Sequence, residues 1–405
     1  APRANQFQIS PVGDLNYRSN ELRAQFQPTE GIDLIVGYFK SELNDFDTFP
    51  LNYALPKNST APFNIADPGW IILTRGSTNV DAKAYFGSVA WRINDRWRVG
   101  LEGRQAEEEK RLVTGPTSFN TVVRTISGDW SQFTPRGTVD FKVNDSLLYL
   151  TVAKGAKSGG FNLSAILPEQ FQFAPDENWT YEIGSKNELF GGRLRLNGSL
   201  FFVDWSNQQV SCSALGAAAA ATPPAVICNL GAAEIVGFEG DATWKATEQL
   251  TVTAGISYNE AIYADGVIDQ RIRDFRLCDG IVCPTTGDIS GKQLMRQSKV
   301  QVQLGLDYEF PVGESLQAFF GGDIGYKSKQ YVDSMNLGYL PDRSLGNVRA
   351  GVRDESFDVT AWVKNVTDEH YATAAYAILG ADTSYVPIQG QHRTFGVTAR
   401  YRFGD

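Results

Sequence analysis

The strictest constraint in this chain is a period of two. In "SKVQVQLGLDYEF", residues 298 to 310, Val300, Val302, Leu304, Leu306, Tyr308 and Phe310 share one phase, and Lys299, Gln301, Gln303, Gly305, Asp307 and Glu309 share the other. Successive side chains of a strand point to opposite faces, so the segment reads as a strand with one apolar and one polar face. The pattern recurs at 236–245, 251–259, 315–327, 357–364 and 393–403. Alternation of this kind predicts about fifteen strands: 20–28, 31–43, 81–94, 96–109, 133–144, 146–157, 177–190, 193–209, 234–246, 250–263, 295–310, 315–331, 344–353, 357–366 and 393–404.

The connections alternate in length. Short ones such as "NDR" at 94–96, "FGGR" at 190–193 and "RDES" at 353–356 carry the residues of tight turns, and long ones at 44–80, 110–132, 158–176, 210–233, 264–294, 332–343 and 367–392 lie between them. Short turns therefore gather at one rim of an up-and-down sheet and long loops at the other. A soluble sandwich hides both apolar faces in one core and uses about seven to ten strands. Fifteen strands in this order fit an all-β fold, a transmembrane antiparallel up-and-down β-barrel, better: lipid meets the apolar face and water the polar one. The backbone groups of such a wall are paired around the ring, as a bilayer requires.

Composition agrees. Gly numbers 39 and aromatics reach 12%, no run approaches twenty apolar residues, and the net charge of −9 disfavours nucleic acid as a partner. The first ten residues, "APRANQFQIS", lack the charged-then-apolar pattern of an export signal, so such a signal is expected to be removed or to lie outside this chain.

Candidate site residues follow from the two phases and the loops. Arg193, Arg195, Lys299, Asp307, Glu309, Asp323, Arg349, Arg400 and Arg402 fall on the polar phase and are expected to face the lumen, where they either solvate the interior or steer a ligand. Cys212 and Cys228 share one long loop, and Cys278 and Cys283 the next. On an outward, oxidising rim, proximity favours the disulfides 212–228 and 278–283 among the three pairings possible. Cysteine spacing is poor for a metal, and with two His and two Met the chain is poorly equipped to hold haem iron. No metal site and no cofactor are expected. "AEEEK" at 106–110 reads as a solvated rim, with an acidic site for cations or cationic ligands as the alternative. Trp91, Trp97, Trp179, Trp244, Tyr308, Tyr401 and Phe403 lie near strand ends on the apolar phase, as in an interfacial girdle. No nucleophile–base pair or phosphate loop stands out, so the reading is not an enzyme.

The end of the chain, "FDVTAWVKNVTDEHYATAAYAILG" followed by "IQGQHRTFGVTARYRF", resembles the end of a TonB-dependent outer-membrane receptor. The residues that carry the likeness are a corner of Asn365, Asp368 and Tyr371, and a closing strand with Gly390, Arg393, Thr394, Gly396, Tyr401 and Phe403. "SNELRAQFQP" at 19–28, "AKGAKSGGFN" at 153–162, the hairpin at 178–210 and "VGFEGDATWKATEQLTV" at 236–252 resemble further family segments in the same order. The resemblance implies a 22-stranded barrel in the outer membrane of a Gram-negative bacterium. It also implies an N-terminal plug, and import of a scarce, bulky ligand such as a siderophore with TonB-supplied energy. Residues 1–405 would supply the C-terminal two-thirds of the barrel domain. The plug, the TonB-contacting segment and about seven strands would lie outside this chain, so its partners would be those parts, TonB, membrane lipid and a small-molecule ligand. The alternatives are a passive porin, or a scaffold whose loops bind a protein partner.

Overall fold

A computed structural model describes residues 8–9, 12–52, 70–115, 123–163, 165, 167–213, 225–269, 286–378 and 384–403. Fifteen wall strands follow one another: β1 (Val12–Thr29), β2 (Ile32–Asn52), β3 (Trp70–Arg92), β4 (Trp97–Thr114), β5 (Arg124–Val143), β6 (Ser146–Lys157), β7 (Asp176–Leu189), β8 (Leu194–Ser206), β9 (Ala233–Lys245), β10 (Leu250–Tyr263), β11 (Val300–Pro311), β12 (Gln317–Lys327), β13 (Arg343–Arg353), β14 (Phe357–Lys364) and β15 (Thr394–Tyr401). Each pairs antiparallel with its neighbours in chain order, and a two-residue strand, Gln8–Ile9, pairs with the far end of β2 beside β1. β1 and β15 are the two edges, each with one neighbouring wall strand among the described residues. No helix among them is long and apolar enough to cross a membrane.

The short turns hold by local chemistry. Asn94 Oδ1 accepts from the N–H groups of Arg96 and Trp97, both at 2.9 Å, and Asp354 Oδ1 accepts from those of Ser356 and Phe357, both at 2.7 Å. The β7–β8 turn passes through Phe190, Gly191 and Gly192, all at positive φ; two glycines there relieve a conformation that side chains resist.

Register shows where lipid gives way to water. Tyr38 of β2 stands opposite Tyr85 of β3, which stands opposite Gln105 of β4, which stands opposite Phe133 of β5. Toward the short turns this phase is apolar: Val36, Val89, Leu101 and Val139 lead down to Trp91, Trp97 and Phe141. One position the other way, the same phase becomes Lys40, Lys83, Glu107 and Ser131. Lys83 and Glu107 form an ion pair at 3.0 Å. The apolar stretch from Lys83 to Trp91 is about 26 Å of strand at ~3.3 Å per residue, close to the ~25 Å apolar band of a bilayer wall. Aromatics mark its lower edge: Trp97 meets Phe141 with ring centroids 4.4 Å apart, and Tyr308 meets Phe310 at 5.6 Å.

All fifteen expected strands are present, but β1, β2, β3 and β5 run eight to eleven residues, and β4 five, further from the membrane than alternation predicts. The reason is physical. Above the level of Lys40 the outward face no longer meets lipid, the two-phase signal fades, and pairing continues the hairpins, with Leu112 and Trp130 the buried exceptions. Other ends differ by a few residues: β8 stops at Ser206, before Asn207 at positive φ, and β11 starts at Val300.

The largest buried apolar cluster among the described residues is not in the wall. Leu230, Ala233, Ala261, Tyr263, Val267, Ile289, Leu294 and Met335 pack together at the long-loop rim. There loop segments around residues 230, 267, 289 and 335 fold over the upper ends of β9 and β10. Buried Asp269 accepts a hydrogen bond from Ser334 Oγ at 2.6 Å.

The membrane level yields a prediction. Leu101→Arg, at mid-height on the outward phase, is expected to destabilise the wall by about 2–4 kcal/mol. Glu107→Gln, one step above the boundary, is expected to change stability by less than about 0.5 kcal/mol. Denaturant unfolding in lipid vesicles measures both; equal stability of Leu101→Arg and parent would remove Leu101 from the lipid face.

Candidate functional site

The polar phase makes the concave face. Register carries one row of side chains across it: Tyr149, Gly184, Ser199, Glu239, Ser257, Gln301, Lys327 and Arg343, from β6 to β13. A cavity of about 970 Å³ lies over this row. Its acids are Glu182, Glu239, Asp241 and Asp323, and its bases are Lys186, Lys327 and Arg343. Tyr371 and Thr373 border it from the segment after β14. Tyr149 donates to Glu182 Oε1 at 2.5 Å, Asn197 to Asp241 Oδ2 at 3.0 Å, and Asn347 to Asp323 Oδ2 at 2.7 Å. Arg343 lies over the Tyr371 ring, 5.2 Å from its centroid, and donates to the Ala372 carbonyl at 2.8 Å. Charges of both signs, aromatic edges and amides in one wet concavity can grip a polar ligand of several hydrogen-bonding groups.

The residues read from sequence as lumen candidates divide by place. Asp323 lines the cavity. Asp307 pairs with Arg349, and Glu309 with Arg353, lower on the same face. Gly321 stands between Asp307 and Arg349 in register, and its missing side chain leaves room for the pair. Arg195 stands opposite Glu188, and Arg400 opposite Asp358. Arg193 and Arg402 do something different. Arg193 donates to the carbonyls of Lys245 and Ala246 at 3.3 and 2.9 Å, and Arg402 to those of Asp354 and Glu355 at 3.4 and 3.2 Å, so each closes a neighbouring short turn. Lys299 sits in a bend just ahead of β11, and its ammonium meets Glu260 at 2.7 Å. Glu260 follows the outward phase of Ile256 and Tyr258 on β10, so the bend carries Lys299 toward the outer rim. Alternation does not hold through a bend. The cavity acids and bases Glu182, Lys186, Glu239, Asp241, Lys327 and Arg343 were not singled out in sequence, although each lies on the polar phase of its strand.

The "AKSGGFN" segment anchors the loops beside the cavity. A side chain at Gly159 would collide with Trp130, and one at Gly160 would approach Phe173 within 2.6 Å. Buried Asn162 donates to the carbonyls of Gln170 and Ile227 at 2.8 and 2.7 Å and accepts from Ile227 N–H at 2.7 Å. It thereby ties this loop to the hairpin of Gln209–Ser213 with Ala225–Asn229. Cys228 in that hairpin is disulfide-bonded. Cys212 lies on its other strand, where Val210 stands opposite Cys228 and Cys212 opposite Val226. Cys278 and Cys283 lie outside the described residues.

The corner after β14 is built around one amide. Asn365, buried and at positive φ, donates to the carbonyls of Glu369 and Gln391 at 2.9 and 3.2 Å. It accepts from Glu369 N–H at 2.8 Å, while its own N–H donates to Asn347 Oδ1 at 3.1 Å. Asp368 Oδ1 accepts from Arg393 N–H at 2.8 Å, and that bond holds its carboxyl below the ordinary carboxylate range. Gly390 N–H donates to the Tyr371 carbonyl at 2.8 Å, and a side chain at Gly390 would strike the Tyr371 ring. Gly396 accommodates Trp362, which a Cβ would approach within 2.7 Å. Thr394 pairs in register with Lys364, and the rings of Tyr401 and Phe403 stack edge-on at 4.7 Å.

Comparison with known proteins places these features in a family. The model described as "TonB dependent receptor-like, beta-barrel" matches residues 3–366. The chain is 22% identical over 295 residues to the probable TonB-dependent siderophore receptor PiuA of Acinetobacter baumannii, covering 70% of this chain and 36% of that protein. Among solved structures, the ferric yersiniabactin uptake receptor FyuA of Yersinia pestis matches with a TM-score of 0.79 at 15% identity, over 99% of this chain and 56% of the other. The siderophore receptor PiuA of Acinetobacter baumannii matches with a TM-score of 0.73 at 19% identity, over 96% and 56%. The chain thus spans about a third of the curated relative's length and a little over half of these two structures.

The corner supplies the second prediction. Asn365→Ala strips hydrogen bonds from buried backbone groups and is expected to cost about 2–4 kcal/mol. Gly390→Ala is expected to destabilise the same corner through Tyr371. Both are measured as lowered denaturant midpoints of the folded wall; an unchanged midpoint for Asn365→Ala would show that the corner is held by other contacts.

Proposed function

Because the chain belongs to the TonB-dependent receptor β-barrel family, and so to the outer membrane of a Gram-negative bacterium, we propose that it forms part of the wall of a receptor importing a scarce, bulky ligand of siderophore type. The observation that carries this reading is the cavity of about 970 Å³ on the inner face, bordered by acids, bases and aromatic rings. Its size falls in the range of small-molecule sites, about 300–1,000 Å³. The relatives described above are siderophore and ferric yersiniabactin uptake receptors, which supports a ligand of that class.

Active uptake needs more than this wall. The free edges of β1 and β15 would present unpaired backbone groups to lipid, at a cost of several kcal/mol for each unsatisfied group. We propose that further strands close the wall, that a plug fills the lumen, and that TonB supplies energy through it. The cavity residues would then contact ligand on the plug's outer side. The reading carries no enzymatic step.

Uptake of radiolabelled ferric siderophores by cells with and without the protein tests this. Accumulation that requires both the protein and TonB is the expected result. Lys327→Ala together with Arg343→Ala is expected to lower ligand affinity about tenfold or more, since a hydrogen bond to a charged group contributes about 1.5–3 kcal/mol. Steady ion conductance in a planar bilayer without TonB-dependent uptake would instead make the protein a passive pore. We also propose that Cys212 is the partner of Cys228. Peptide mapping without reductant is expected to recover residues 212 and 228 in one linked species, and recovery of Cys228 joined elsewhere would overturn that pairing.

A further inference from the structure

The chain has two histidines, His370 and His392, 22 positions apart. The fold brings them together. His370 lies in the corner after β14 and His392 lies two residues ahead of β15, and the hairpin of Ala372–Ile378 with Ser384–Gln389 leaves and returns between them. Their ring centroids are 4.7 Å apart and the rings are nearly perpendicular, at 78°. Asp368 completes the group: its Oδ1 is 3.7 Å from His392 Nδ1, and one ligand atom from each of the three residues lies within 4.8 Å of the others.

The backbone beneath this group is held from one point. Buried Asn365 donates to the carbonyls of Glu369 and Gln391, the residues just before the two histidines. Arg393 N–H, just after His392, is bonded to Asp368 itself at 2.8 Å. All three side chains therefore project from a corner whose backbone is already fixed, and only their own torsions remain to be set. Both imidazoles are exposed at the long-loop rim, open to the medium.

We propose that Asp368, His370 and His392 form a surface site for a divalent transition metal ion, with Cu²⁺ preferred over Zn²⁺. Bonds of about 2.1 Å to imidazole and carboxylate place neighbouring ligands roughly 3.0–3.4 Å apart around one ion. The present separations, 3.7 Å for one pair and up to 4.8 Å within the group, must shorten by roughly 0.3–1.8 Å to reach that, a change of the size that rotation of exposed side chains supplies. Two imidazoles and one carboxylate suit Cu²⁺, Ni²⁺ and Zn²⁺, and the general affinity order puts Cu²⁺ first. Ca²⁺ and Mg²⁺ want oxygen ligands and are not expected to compete. The Asp368 carboxylate keeps lone pairs beyond the one Arg393 uses. Water fills the remaining positions of the ion. The site is separate from the lumen cavity and does not rest on ligand import. Its ion would tie the base of the 372–389 hairpin across the corner.

Protein carrying no polyhistidine tag, stripped of metal and held in detergent, is titrated with Cu²⁺ against a chromophoric chelator. One tightly bound equivalent is expected. Its electron paramagnetic resonance spectrum should show coupling to two nitrogens, falling to one in His370→Ala or His392→Ala, and the equivalent should be lost in the double variant. A merely structural role for the histidines would not change the nitrogen count. An unchanged spectrum and stoichiometry in the double variant would overturn the proposal, as would the absence of a tight equivalent in the parent. A second measurement uses the unmodified protein. Zn²⁺ is expected to protect both histidines from carbethoxylation, read by mass of the peptides, and modification at the same rate with and without Zn²⁺ would overturn the site.

Discussion

A bilayer offers no partner to a backbone N–H or C=O, and the whole wall answers to that. Strand-to-strand pairing is continuous from β1 to β15, and each turn at the short rim is as tight as its Asn, Asp or Gly allows. Once the backbone is spoken for, side chains are free to divide between two solvents. The outward phase is apolar for the depth of the membrane and ionic above it. The inward phase is polar throughout much of β6 to β13, and glycines there make space where charged partners meet. The hydrophobic effect, which gathers the interior of a soluble domain, here gathers only the loops at the outer rim.

How much of this could be read from residues alone depended on which solvent lay on each side. Where one face met lipid and the other water, "KVQVQLGLDYEF" and its counterparts located strands to within a few residues. Where the outward face rose above the membrane, as in "SELNDF" at 41–46 of β2, nothing in the pattern distinguished a paired strand from a loop. The same limit shaped the reading of the site. The inward phase is visible along a strand, but not which inward residues converge across eight strands, since that needs register. Lys299 and Arg402 illustrate the other limit: a bend or a strand end detaches a side chain from its phase, and the nearest carbonyl or carboxylate then decides where it goes. His370 and His392 were separated by an entire hairpin, and only the tertiary corner makes them neighbours.

That corner shows how a short motif can serve more than its own turn. Asn365 accepts the left-handed conformation that ends β14, satisfies backbone on both sides of the excursion at 372–389, and receives support from Asn347 on β13. Three segments far apart in the chain are reconciled by one amide. Small residues at 390 and 396 let aromatic rings lie flat against the backbone beside it. The Asn–Asp–Tyr signature is thus an architectural device first, and the ligands it positions at its surface are a by-product of the rigidity it confers.

The unequal height of the wall has a consequence for how anything reaches the lumen. β2 and β3 climb twelve or thirteen residues beyond the level of Lys40 and Lys83, about 40 Å of paired strand at ~3.3 Å per residue, whereas β11 to β15 end near the membrane and carry folded loops instead. Within the described wall the rim is therefore tall at β2 and β3 and low at β11 to β15, and the shorter way over it to the cavity lies on the low side.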